Sequence, residues 1–129
     1  MIDFADAAER ARLSASAIHV FMNVVREWKL TAEQARGLLG VDAPTYRAWQ
    51  ADPHGTTLDQ EPLTRISLAI GIYKALHICQ GEKLADRWVT LQNRGPLFAG
   101  QAPIDYMIER GQAGMKTVRR LVDSWSAGN

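Results

Sequence analysis

The sequence predicts an all-α protein folded as a compact helical bundle. Three observations carry that expectation. Apolar residues recur at helical spacing in separate segments, as in Ile18, Phe21, Val25 and Trp28, and again in Met115, Val118, Leu121, Val122 and Trp125. Such spacing gives a helix one apolar face. Start and stop residues bracket the segments: Thr31 and Asp42 stand where N-caps belong, and Gly40 and Gly81 where helices end. The stretch from Leu63 to Cys79 is apolar on most faces, which suits a helix buried at the centre of a bundle.

Taken in order, the first amphipathic helix carries Ile18, Phe21, Val25 and Trp28 and ends at Leu30. Thr31-Ala32-Glu33-Gln34 then reads as a capping box, with Gln34 able to reach back to the cap. That second helix runs to Leu39 and stops at Gly40. Val41-Asp42 makes a turn, and Asp42 can cap a third helix with Pro44 in its first turn. Two helices joined by a tight glycine turn have the helix-turn-helix layout. On this register Tyr46 and Trp49 belong to the core, while Thr45, Arg47 and Gln50 point outward as the candidate DNA-contacting residues. Such motifs commonly place alanine four residues before the turn glycine; here that position is Arg36, whose long side chain can lead its charge outward.

Residues 51–62 form a polar connector, too short to be a free linker, so the two halves should pack on each other. Leu63–Cys79 is the longest helix expected. Gly71 in its interior suits close packing of a neighbour. After Gly81 a further helix over 82–92 places Leu84, Trp88 and Leu91 on one face. An apolar loop over 94–101 leads to Pro103, which suits the first turn of a helix. Gly111 and Gly114 break that helix. The last helix follows, with Lys116, Arg119 and Arg120 opposite its apolar face. Beyond Trp125 the sequence Ser126-Ala127-Gly128-Asn129 is small and polar, without core residues to order it.

The chain has 129 residues, is 47% hydrophobic and holds one cysteine. That size buries a core without disulfides, and a lone Cys79 fits a reducing, cytoplasmic setting. The acidic start, Met1 to Asp6, lacks a signal-peptide pattern. The apolar run from Ile66 to Cys79 is too short and too polar to span a bilayer. Net charge is +1, so no global field draws in nucleic acid. Residues 1–60 hold six bases against eight acids (net −2), and the remainder nine bases against six acids (net +3). The half with the helix-turn-helix layout is thus the acidic half, and any binding to operator DNA should be weak.

Enzyme chemistry finds little support. His19, His54 and His77 are far apart in sequence. His77 and Cys79, two apart on a helix, point in different directions, so they make neither a metal pair nor a Cys-His nucleophile. His77 reads as a satisfied core histidine and Cys79 as a small core hydrophobe. Asp105 and Glu109 read as a solvated helix face. No phosphate loop, CxxC pair or dinucleotide turn occurs. No catalytic residue, metal ligand or cofactor is expected, and the chain is not read as an enzyme.

A pattern in the second half points further. Trp88, Asn93, Phe98, Gly100, the Ala102-Pro103-Ile104 step, Met107, Gly111 and Val118 through Leu121 together resemble the toxin-binding domain of the Xre/MbcA/ParS antitoxin family. The resemblance implies an Xre-like helix-turn-helix domain over 1–58 packed on a C-terminal antitoxin domain over 59–129. It implies the antitoxin of a type II toxin–antitoxin pair, whose partner is a RES-domain toxin that degrades NAD or uses it for ADP-ribosylation. By this resemblance the C-terminal region blocks the toxin's active site, with Arg119, Arg120, Asp123, Trp125, Ser126 and Asn129 as the toxin-binding candidates. A homodimer, and a hetero-oligomer with the toxin, are the expected assemblies. The alternative reading is a stand-alone Xre-type transcriptional regulator whose second half serves dimerisation.

Overall fold

The computed structural model describes residues 7–127, and their secondary structure is all helical, with no strand among them. The helices are α1 (Ala7–Glu27), α2 (Ala32–Leu39), α3 (Ala43–Ala51), α4 (Gln60–Trp88) and α5 (Pro103–Ala127). α4 lies between α1 and α5 and packs along both; α2 rests on α4 and α5, and α3 on α1 and α2. This is the compact all-α bundle that the periodicities imply.

The local signals act where they stand. Thr31 caps α2: its Oγ1 accepts from the Gln34 N–H at 3.0 Å, while the Thr31 N–H donates to Gln34 Oε1 at 2.9 Å. Gly40 closes α2 in the left-handed region (φ 72°). Asp42 caps α3. α4 and α5 each contain a break, at Gly81 (φ 73°, ψ 167°) and Gly111 (φ 67°, ψ −148°); a side chain at either φ would be strained. A hydrogen bond between His77 Nε2 and Asp86 Oδ1, 2.7 Å long, spans the Gly81 break, and Tyr73 stacks on His77 at 4.3 Å.

One hydrophobic cluster draws on both halves: Phe21, Trp28, Leu38 and Tyr46 share it with Ile72, Leu76, Trp88, Ile104, Met107 and Val118. Packing does not thin where the sequence divides, since Leu58 and Leu63 are each 1% exposed. The connector is clipped to α1 by Ser14, which is fully buried: its Oγ accepts from the Leu58 N–H at 2.8 Å and donates to the Arg10 carbonyl. Tyr46 donates its hydroxyl to Met22 Sδ at 3.4 Å, and burial pushes its phenol pKa up.

The structure corrects several expectations. α1 ends at Glu27, short of Leu30. Val24, not Val25, is its fully buried valine, and Trp49 and Ile70 are only half-buried. α4 stops at Trp88, short of Gln92. Its last segment buries Ala85, Trp88 and Val89, while Leu84 and Leu91 are exposed. Trp88 of the expected face is buried, but its companions there are Ala85 and Val89 rather than Leu84 and Leu91, because the side that meets the core is set by packing against the neighbouring helices. Gly114 does not break α5; it lies buried inside the helix. α5 also continues through Ala127, so Ser126 belongs to its last turn rather than to a tail.

Candidate functional site

Two surfaces hold the candidate residues. The first is formed by α2, the turn 40–42 and α3. Asp42 Oδ1 accepts from the Thr45 N–H at 2.8 Å. Hydrogen bonding from Thr45, assisted by the nearby charges of Arg36 and Arg47, holds the Asp42 carboxyl below its ordinary value of 3.8. Thr45 is thus half-buried in the cap, whereas Arg47 and Gln50 are exposed. Arg36 reaches over the turn, 3.5 Å from the Val41 carbonyl oxygen. Its stem lets the charge leave the helix crossing where an alanine would have sat. Arg36, Arg47 and Gln50 line a concavity of about 320 Å³ between the two helices. Arg47 is the one base that α3 carries, so this surface can offer few charge-assisted contacts to a phosphate backbone.

The second surface is built by the stretch 93–107 and the end of α5. The stretch closes on itself: the Gly100 N–H donates to the Asn93 carbonyl at 2.8 Å, and the Asn93 N–H to the Gln101 carbonyl at 3.2 Å. Asn93 Oδ1 also accepts from the Gly95 N–H. The Ile104 N–H then reaches the Val89 carbonyl at 2.9 Å, fixing the start of α5 against the end of α4. Phe98 plugs this loop into the core. Its ring meets Trp88 at 5.6 Å and Tyr106 at 5.3 Å, both edge to face, the geometry that aromatic quadrupoles favour. Trp125 also meets Trp88, at 5.4 Å and 89°, and Arg110 lies over the Tyr106 ring.

The toxin-binding candidates on α5 separate into three environments. Arg119 Nε donates to Asp123 Oδ2 at 2.9 Å. The Arg119 guanidinium also lies against α4 so closely that a Cβ on Gly71 would fall 1.8 Å from Nη1. Arg119 also lines an apolar groove of about 410 Å³ between α1 and α4, together with Ala17, Leu63, Ile66 and Lys74. Trp125 is half-buried on Trp88, and Arg120 is exposed. The Ser126 side chain and Asn129 lie outside the described residues. The fold therefore brings Arg119 and Asp123 together with α4, and puts Trp125 on the aromatic chain that starts at the loop. Spacing alone missed the Gly71–Arg119 contact and the placing of Lys74 and Arg119 along one groove. Only the interior glycine of α4 hinted at a close neighbour.

Among the described residues no group of three or more His, Cys, Asp or Glu is placed to hold a metal ion. No helix among them is long and apolar enough to cross a membrane. Comparison with family models, curated proteins and solved structures found no match for the chain.

Proposed function

We propose that the chain is the antitoxin of a type II toxin–antitoxin pair and neutralises a RES-domain toxin that consumes NAD or ADP-ribosylates a target. The observation supporting this reading is that the residues carrying the family resemblance form one packed unit. Trp88, Phe98, Ala102, Ile104, Met107 and Val118 are all buried in the same cluster. They set the loop 93–101 and the course of α5, which in turn present Arg119, Arg120 and Trp125. Inhibition needs only binding: α5 and the residues after it cover the toxin's NAD cleft, Arg120 offers an exposed cation to acidic surroundings, and Trp125 supplies apolar area. The chain acts as a homodimer that joins its toxin in a hetero-oligomer.

Co-expression with an adjacent gene encoding a RES domain, followed by pull-down and an assay of NAD consumption, tests the proposal. Inhibition by the whole chain is expected. Removal of residues 126–129 should weaken it while leaving the melting temperature nearly unchanged. A toxin that neither co-purifies nor loses activity would sink the reading.

A second reading, a DNA-binding regulator, is favoured by one feature: the doubly capped α2 and α3 leave Arg47 and Gln50 exposed beside Arg36. Autoregulation of the operon joins the two readings. With so few bases, operator binding should be weak and its dependence on salt shallow. Arg47→Ala should abolish sequence preference; retained preference would place base reading outside α3.

A further inference from the structure

We propose that the concavity between the C-terminal ends of α1 and α4 binds a phosphate-bearing ligand. This site is separate from both surfaces above and does not depend on the antitoxin reading. Its volume is about 500 Å³, within the range of ordinary small-molecule sites. Four cations line it: Arg26 and Lys29 from the end of α1, and Lys83 and Arg87 from the last turns of α4.

The charge balance is uneven. Two carboxylates, Glu27 and Asp86, share the concavity, and Asp86 is already engaged by His77. Lys29, Lys83 and Arg87 form no ion pair among the described residues. Arg26 is held by Asn23 on its own helix. Part of this positive charge offsets the carbonyl ends of the two helices, each equivalent to roughly half a negative charge. Four cations against two carboxylates and two half-charges still leave an excess of about one positive charge, held in a concave setting where a field is focused.

Trp28, 1% exposed, forms part of the wall and gives the concavity an apolar side between its cations. The ligand class follows from the donors. Two lysines and two arginines supply charge and forked N–H groups, the pattern that recognises phosphate oxygens. The phosphate can come from a free pyrophosphate-bearing molecule or from a nucleic-acid backbone.

The test uses the full chain with inorganic pyrophosphate and, separately, a short random-sequence DNA duplex. Binding is followed by calorimetry and by the thermal unfolding midpoint. Both ligands are compared with sodium chloride at matched ionic strength. Pyrophosphate should raise the midpoint, as any ligand of the native state does, and the rise should shrink as salt is added. The Lys83→Gln/Arg87→Gln variant changes only exposed side chains, so its midpoint without ligand should stay close to the parent's. Its affinity should fall by roughly tenfold or more, the consequence of losing one or two charge-assisted hydrogen bonds. Binding of pyrophosphate that the variant loses supports a free phosphate ligand. Binding of the duplex alone, lost in the same variant, supports the nucleic-acid source. Absence of binding to both, or equal binding by parent and variant, overturns the proposal.

Discussion

The Arg65 guanidinium on α4 donates to the Leu38 carbonyl at the end of α2 across 3.3 Å. The same side chain is 16% exposed and pairs with Glu61 at 2.8 Å. Its nitrogens fill the space beside Gly40 and Gly111, where an added Cβ would lie 2.8 Å and 3.3 Å away. Gln112, next to the break in α5, donates to Glu61 at 3.0 Å. One arginine thus joins the turn after α2, the first turns of α4 and the bend in α5.

Arg65→Ala should destabilise the protein by about 1.5–3 kcal/mol, because a hydrogen bond from a charged donor is lost and the Leu38 carbonyl is left without it. Glu61→Gln removes only the exposed partner and should cost less than ~1 kcal/mol. Chemical denaturation of the two variants checks this. Equal effects would mean that Arg65 is merely a surface ion pair.

Gly71 and Arg119 form a second contact between elements, and it separates stability from binding. In Gly71→Ala the new Cβ displaces the guanidinium, which sits at the end of a flexible side chain. The Arg119–Asp123 pair is half-exposed, so its loss should cost under ~1 kcal/mol, and the helix gains about as much from replacing an interior glycine. Overall stability should barely move. In an Arg119→Ala background the same change should stabilise by ~0.5–1 kcal/mol, since nothing is displaced. Binding of the proposed toxin partner by Gly71→Ala then reports whether the orientation of Arg119 matters apart from the fold.

Trp88 meets both Phe98 and Trp125 edge to face, so its removal opens the junction of α4, the loop and α5. Trp88→Ala should cost ~3–5 kcal/mol, and Trp125→Ala less, because Trp125 is only half-buried. A double-mutant cycle on the pair should yield ~0.5–1.5 kcal/mol of coupling, as expected for edge-to-face rings. Thermal unfolding provides the measurement. No coupling would deny that the end of α5 is anchored through Trp88.

Asp42 gives a pH signature. Its folded pKa lies below the ordinary 3.8 because Thr45 hydrogen-bonds to the carboxylate. A depressed folded pKa adds stability above the unfolded pKa, and that stability is lost as pH falls through the folded value. The stability difference between the parent and Asp42→Ala should therefore be constant near neutral pH and narrow on acidification below about pH 4. Denaturation curves at several pH values follow it; a gap that is independent of pH would remove the carboxylate from the cap.

Much of the helical layout was legible in the sequence because its signals are local. The Thr31–Gln34 box, the Gly40 stop and the Asp42 cap act within three or four residues and are found where their types stand. Of the apolar stripe Met115, Val118, Leu121, Val122 and Trp125, the first, second and fourth are buried and the other two half-buried, because α5 is unbroken over that stretch and its spacing holds phase. The candidate site was legible only in part. Arg47 and Gln50 stand exposed on α3 as their register implies, and Arg120 stands exposed on α5.

What the tertiary structure alone decided lies across breaks and between elements. Leu84 faces outward and Ala85 inward, since the side of the segment after Gly81 that meets the core is set by its tertiary neighbours and not by its own spacing. Ser14 is buried because Leu58, 44 residues away, needs an acceptor for its N–H. Arg119, on a face that spacing marks as solvated, lies instead against Gly71 and Asp123. Sequence spacing specifies which residues share a face of one helix. Which neighbour that face meets is set by packing the whole core at once, through contacts between residues far apart in the chain.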